Sequence, residues 1–343
     1  MAIMSSLQQL IKLGKSYLDS QLSPLPLWVH LWITDKCNLT CDYCEVVEND
    51  KKNPSKEDVE SWIVHADDLG SAVIAFMGGE PTLRRDFPDL VRFASERNLF
   101  TYVTSHGQRN SLSEQRLAQL GEAGLSVVEI SLDGYDTVKG SDKTLKSDES
   151  LIDRLEQTQK EYGLKYKAHQ VLAPANLDET AKLVELSERR KLPMTFGLVT
   201  EFGAFNLGRR TVYDDPEVNE KIKKTLQFLL DRKRAGAPIV NADSYFEDAL
   251  RFVDGPVRWP CDVGTYMVQV ATNGEVFKCS KYMKLTTGIK FLEIDRDYFR
   301  NGEHGSEELL SKCNDKCFSA CGYNTSYFRR NPFQFLRTMM NTS

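Results

Sequence analysis

No run of apolar residues approaches the roughly 18 needed to cross a bilayer as a helix. There is no basic excess either: 44 Lys and Arg face 49 Asp and Glu, giving a net charge of −5 and a pI of about 5.7. Proteins that grip nucleic acid show a basic face and a high pI, so nucleic acid is not an expected partner. No internal repeat or low-complexity stretch interrupts the chain. The opening residues, Met1 to Leu31, lack the basic–apolar–small pattern of a secretory signal. The most informative absence is of cysteine: none falls between Cys44 and Cys261, although the chain has eight. A disulfide framework belongs to short secreted chains. The expectation is a cytoplasmic protein whose thiolates are reserved for metal.

What is present is α/β patterning. Apolar strand candidates at Trp28–Thr34, Ala72–Met77, Phe100–Thr104, Ser126–Leu132, Lys165–Leu172 and Met194–Val199 alternate with helical patterns. The helices read as Lys56–Leu69, Phe87–Asn98, Ser113–Ala123, Leu151–Tyr162 and Glu179–Lys191, and Gly70, Gly124 and Gly163 mark stops. Such alternation predicts parallel strands with helical crossovers. Six units make an open, partial (β/α)6 barrel or a doubly wound sheet, with the chemistry on loops after the strands' C-terminal ends. Past Phe202 the pattern changes to a loop at Gly203–Asp215, a helix near Val218–Lys233, and a cysteine-bearing region in which Asn273-Gly274 signals a hairpin turn. The expected division is a lead-in over 1–27, a core over 28–210 and a cysteine-rich extension over 211–343. In the lead-in, Leu7, Leu10, Ile11 and Leu18 share one helical face, expected to cover the barrel's bottom or edge, with docking to a membrane surface as the alternative.

Directly after the first strand stands Cys37-Asn-Leu-Thr-Cys41-Asp-Tyr-Cys44. Thiolate-rich sites select zinc or iron–sulfur. A structural zinc site takes four protein ligands, and the next cysteine is over two hundred residues away. Three ligands leave one iron of a cubane open for chemistry. After the second strand comes Met77-Gly78-Gly79-Glu80-Pro81, whose glycines allow close backbone approach to a ligand and whose carbonyls or Glu80 could bind an ammonium group. Gly79→Val is then expected to block that ligand while leaving iron in place.

This pair of motifs, in this element order over about Trp28–Phe202, resembles the radical S-adenosylmethionine (SAM) superfamily. The resemblance implies a [4Fe–4S] cluster on Cys37, Cys41 and Cys44 whose open iron chelates the amino and carboxylate groups of SAM. It implies that Gly78, Gly79, Glu80 and Pro81 bind the amino group, and that Tyr43 packs near adenine. Ser131 and Asp133 stand where relatives contact the ribose or carboxylate. Thr104-Ser105-His106-Gly107 departs from the family's Thr-Asn-Gly, which leaves His106 as a candidate acid or base. Lys139, Lys143 and Lys146 stand where relatives carry an arginine for the SAM carboxylate.

Cys261, Cys279, Cys313, Cys317 and Cys321 resemble the cysteine-bearing hairpin region of SPASM and twitch extensions. They suggest a second, auxiliary [4Fe–4S] cluster on Cys261, Cys279, Cys321 and either Cys317 or Cys313, with structural zinc as the alternative. The function expected is SAM cleavage to a 5′-deoxyadenosyl radical that acts on a small or lipid-like substrate, with an electron donor such as flavodoxin or ferredoxin. Maturation of a ribosomal peptide, conversion of a sugar metabolite and simple electron carriage are the competing readings.

Overall fold

The structure is a computed structural model, and it describes residues 2–44, 46–199, 215–277, 279, 288–300 and 317–335, with the side chains of 2–6 and 300 left aside. Cys313 and most of the Gly203–Asp215 loop lie outside the described residues.

The six expected units form, with ends shifted by a residue or two at most on each strand. Strands β1 (Trp28–Thr34), β2 (Val73–Gly78), β3 (Phe100–Ser105), β4 (Val127–Ser131), β5 (Lys165–Leu172) and β6 (Met194–Leu198) are parallel neighbours in chain order. A doubly wound sheet reverses its order at a switch point, and through these six strands the order does not reverse. The arrangement is therefore the one-way winding of a partial barrel. Helices α2 (Lys56–Leu69), α3 (Phe87–Ser95), α4 (Glu114–Glu122), α5 (Leu151–Tyr162) and α6 (Thr180–Arg190) make the crossovers. Ser55 caps α2 through a reciprocal bond with Asp58, and Gly70 ends it in the left-handed region at φ 96°.

The cysteine-rich region does not stand apart from this sheet. After α7 (Pro216–Arg234) and α8 (Asp243–Asp254), strand β7 (Met267–Val270) pairs in parallel with β1, so the barrel sheet gains a seventh strand at its first edge. The expected hairpin with β8 (Val276–Phe277) is present, but its turn differs from the sequence reading. Gly274 N–H donates to the Ala271 carbonyl at 2.8 Å, and only Gly274, at φ 80°, is left-handed. This is a three-residue turn closed by glycine rather than a two-residue turn with Asn273 also at positive φ. A short helix α9 (Arg296–Arg300) and the helix α10 (Ala320–Arg330) complete the described chain.

Each strand divides its side chains by alternation. Val29, Leu31, Ile74, Phe76, Val128 and Ile130 point outward and are fully buried beneath the helices. The alternate residues, including His30, Trp32, Tyr102, Glu129, Lys167 and His169, face an inner chamber of about 550 Å³.

Helix α1 (Ala2–Leu22) closes the chamber's bottom, where Leu13 and Tyr17 pack on Val73, Phe100 and Val127, the first residues of β2, β3 and β4. Lys12 pairs with Asp67 at 2.6 Å, and Tyr17 donates to the Arg329 carbonyl at 2.8 Å. The face used is the reverse of the one expected. Leu7, Leu10, Ile11 and Leu18 are exposed, while Gln9, Leu13, Ser16 and Tyr17 are buried. Tyr17 and Leu13 supply a large contact over the strand ends, worth roughly 1.5–3 kcal/mol each, and that decides the docking face. No helix among the described residues is long and apolar enough to cross a membrane.

Candidate active site

The loops after β1, β2, β3 and β4 meet at one mouth of the chamber, the end where such barrels carry their chemistry. Cys37, Cys41 and Cys44 all line it. The loop that carries them is held from three directions. Cys37 N–H donates to Asn49 Oδ1 at 3.0 Å, Cys44 N–H to the Cys41 carbonyl at 3.0 Å, and Asp42 N–H to the Gly140 carbonyl at 3.0 Å. Burial pushes the Cys37 thiol up to about 11, which a bound metal cation would reverse. Among the described residues, no three Cys, His, Asp or Glu side chains converge tightly enough for a single metal ion. The corners of a cubane stand farther apart than the ligands of one ion. Three sulfur donors on one rim, with no fourth beside them among the described residues, suit the cluster better than zinc.

Gly78 and Gly79 also line the chamber, but their lack of a side chain serves the protein's own backbone. A Cβ on Gly78 would stand 2.1 Å from the Thr34 carbonyl oxygen, and one on Gly79 2.3 Å from that of Lys36. Gly79 N–H donates to the Thr34 carbonyl at 2.9 Å and Glu80 N–H to that of Lys36 at 2.8 Å. The glycine pair thus clamps the end of β2 onto the root of the cysteine loop.

Glu80 is fully buried, and Pro81 is buried beside it. Its carboxylate accepts from the Thr82 hydroxyl at 2.5 Å and from His106 N–H at 2.9 Å, and His106 Nε2 lies 3.2 Å away. Glu80 is therefore satisfied within the protein, and of residues 78–81 only Gly78 and Gly79 line the chamber. His106 is held equally firmly. Its Nδ1 accepts from Gln108 N–H at 2.9 Å, so Nε2 carries the proton and donates to Asn38 Oδ1 at 2.9 Å. Burial lowers its pKa, which keeps the ring neutral. The candidate acid or base thus ties Asn38 of the cysteine loop to Glu80, because both ring nitrogens are engaged.

After β4, Asp133 accepts from the Tyr43 hydroxyl and from the Ser141 hydroxyl, each at 2.5 Å, and Ser141 Oγ lies 3.9 Å from Cys41 Sγ. Burial raises the Tyr43 pKa, so its hydroxyl donates. Of the three candidate lysines, Lys146 is turned outward onto Asp136 at 3.2 Å and Lys139 is exposed at the mouth. Lys143 reaches inside, its ammonium 5.2 Å from the centre of the Tyr43 ring. Ser131 lines the chamber. The sequence reading missed Ser141, which is drawn to the site by the return of a loop.

Deeper in, Glu129 and Lys167 pair at 2.9 Å, and the Lys167 ammonium lies 5.1 Å from the Tyr102 ring centre. Burial would raise the Glu129 pKa, but Lys167 and a bond from the Tyr102 hydroxyl outweigh it and hold it down at about 2. A depressed carboxylate stabilises the fold above its usual range near 4.5, and that contribution is lost as the pH falls towards about 2. Glu129→Gln is expected to cost about 3 kcal/mol at pH 7, since it strands a buried ammonium. Urea melts of the two proteins should converge as the pH drops below the normal carboxylate range, and a difference independent of pH would contradict this.

A second group of thiols reaches the chamber through Cys321. Cys261 lies within electrostatic reach of Cys279 and Cys317, and Cys321 within reach of Cys279 and Glu129. Asp262 fixes this arrangement by pairing with Arg329 at 2.6 Å and Arg330 at 2.5 Å, both on α10. Trp259 Nε1 donates to the Cys317 carbonyl at 2.8 Å. Cys321 is exposed, and it also lines the chamber, so its exposure is to the interior cavity rather than to the outer surface. Burial within the protein pushes its thiol up to about 12.

Residues 32–185 match the model of the radical SAM superfamily. Fe-coproporphyrin III synthase of Methanosarcina barkeri (strain Fusaro / DSM 804) is 29% identical over 217 residues, 62% of this chain and 52% of that protein. The chain therefore spans about half the length of that curated relative. Streptococcus suis SuiB bound to S-adenosylmethionine superposes with a TM-score of 0.59 at 17% identity, over 86% of this chain and 71% of that one. Native anSMEcpe with bound AdoMet and Cp18Cys peptide superposes with a TM-score of 0.57 at 18% identity, over 92% of this chain and 99% of that one. At these identities the two structures share the fold, which is the partial barrel described above.

Proposed function

We propose that this chain works as a radical SAM enzyme whose barrel lumen holds SAM at the cysteine rim and a small, apolar substrate beneath it. The observation that carries the reading is that three thiols, the Gly78–Gly79 backbone and Lys143 all open onto one chamber. Cys37, Cys41 and Cys44 would hold the cluster. Bound there and reduced, a [4Fe–4S] cluster supplies the electron that splits SAM into methionine and a 5′-deoxyadenosyl radical able to take hydrogen from unactivated carbon. The Gly78 and Gly79 carbonyls receive the amino group of SAM, and Lys143 faces its carboxylate. Tyr43, Ser131 and Asp133 form the polar wall for its nucleoside. Trp32, Met77 and Leu198 line the lumen and keep water from the reacting carbon.

A second cluster on Cys261, Cys279, Cys317 and Cys321 belongs to the same proposal. Its support is the mutual field of these thiols and the opening of Cys321 onto the chamber. The division into a lead-in, a core and an extension follows the placement of these two sites. Flavodoxin or ferredoxin would supply the electrons.

The apolar walls favour a small hydrophobic substrate over a charged one. A peptide is the second reading, since anSMEcpe binds the Cp18Cys peptide. Anaerobic extraction of co-purified ligand with identification by mass spectrometry separates the two: an apolar small molecule supports the first, and a peptide the second. Leu7, Ile11, Leu18 and Leu22 form an exposed apolar stripe along α1, with Phe333 also exposed, which supports contact with a lipid surface. Full-length protein is expected to sediment with anionic liposomes, less so at high salt. Ile11→Glu with Leu18→Glu should leave it in the supernatant while 5′-deoxyadenosine release continues. Wild type that never sediments would return the question to freely diffusing substrates.

A further inference from the structure

Two charged side chains face the chamber at the same depth. Glu129 of β4 and Lys167 of β5 are partners in the parallel register, on the interior side of the Ser131 and His169 pair. Their ion pair closes at 2.9 Å and both line the chamber, with 17% of the lysine side chain and 14% of the glutamate side chain exposed. Tyr102 of β3 flanks them, its hydroxyl bonded to Glu129 and its ring centre 5.1 Å from the Lys167 ammonium. A buried ion pair is a poor device for stability, since apolar residues of similar volume often serve a fold as well or better. Ionised groups kept in a cleft against that penalty mark a functional surface.

The two ends of the pair differ in what they leave open. Glu129 takes hydrogen bonds from both Lys167 and Tyr102. The Lys167 ammonium carries three protons and, among the described residues, pairs with one carboxylate and lies over one ring. It therefore keeps donor capacity for a ligand in the chamber. The neighbours decide what charge such a ligand can carry. Burial holds His30 neutral with a pKa of about 4 and lowers that of His169. A carboxylate would crowd a second negative charge against Glu129, and an ammonium a second positive one against Lys167. Trp32, Met77, Val171 and Leu198 supply apolar wall for the rest of the molecule. An uncharged acceptor oxygen meets the spare donor without either penalty.

We infer that Lys167 anchors the substrate by donating to an uncharged carbonyl oxygen, with Glu129 and Tyr102 holding the ammonium in place. The inference rests on the proposed function, which makes this lumen the substrate chamber. Cys321 lies within electrostatic reach of both charges, so the anchored group stands beneath the rim and beside the second set of thiols. A charged donor in a water-poor site discriminates against an analogue that cannot accept from it.

The test is anaerobic equilibrium dialysis of reconstituted full-length protein with SAM. The probes are benzylacetone, the alkene with methylene in place of its carbonyl oxygen, phenylbutanoate and phenylbutylamine. Wild type should bind the ketone roughly tenfold more tightly than the acid or the amine. Lys167→Met combined with Glu129→Gln removes the donor without stranding a buried charge. This double variant should bind the ketone roughly tenfold more weakly and the alkene within about twofold of wild type. A ketone that fails to bind, a charged probe that binds as tightly, or equal losses for ketone and alkene in the double variant would each overturn the assignment. The wild-type comparison needs no variant, so a misfolded double variant leaves the test standing. Release of 5′-deoxyadenosine on adding dithionite to the same wild-type preparation reports separately on the reaction. Absence of release refutes the radical SAM reading, whereas release without a ketone preference refutes only the role of Lys167.

Discussion

The variant with alanine at Cys37, Cys41 and Cys44 together is expected to retain about four irons per chain, against about eight in the reconstituted wild type. It should also release no 5′-deoxyadenosine. The two thiol groups are separate in sequence, and they reach the chamber from different elements, the first from the rim loop after β1 and the second through Cys321 on α10. Removal of one set leaves the anchoring of the other through Asp262, Arg329 and Arg330 untouched. The retained cluster should give a broad charge-transfer absorbance in the visible. If this variant holds one zinc and no iron, the second site is structural and plays no part in electron transfer.

Gly79→Val is expected to lose SAM cleavage and the rim iron together. From the motif alone, a valine would only obstruct a ligand and leave iron untouched. The structure changes that expectation, because the added Cβ would stand 2.3 Å from the carbonyl oxygen of Lys36, one residue before Cys37. Backbone cannot yield there without moving the cysteine loop, and the loop's hydrogen bonds to the end of β2 pass through the same residues. Iron analysis should therefore give about four per chain rather than about eight. Full iron with SAM binding alone abolished would show that the glycine faces the ligand and not the loop.

The strands and crossover helices were legible because their apolar runs are bounded by glycine stops and capping residues such as Ser55 and Gly70. The cysteine loop and the Gly-Gly segment were legible because each is contiguous in the chain. What escaped is long-range or two-sided. Periodicity can mark Met267–Val270 as a strand, but it cannot say that the strand joins β1. The alternating polar residues of β3, β4 and β5 read as a solvent face by the ordinary rule. In a barrel whose outer face is already covered by helices, they point into the lumen instead, and so Glu129, Lys167 and His169 went unnoticed. A polar residue at every second position of a parallel strand is the signal that could have found them. The docking face of α1 was read in reverse because a helical period identifies an apolar stripe, not what lies beneath it. The engagement of Glu80 and His106 with each other depends on β2 and β3 being neighbours, which no local pattern encodes.

The most direct test of the central claim is to incubate anaerobically reconstituted full-length protein with SAM and dithionite and to quantify 5′-deoxyadenosine. Wild type should form it and Cys41→Ala should form none above the protein-free background, because an incomplete ligand set cannot hold the cluster that cleaves SAM. No product from iron-replete wild type, or product that persists in Cys41→Ala, would contradict the account.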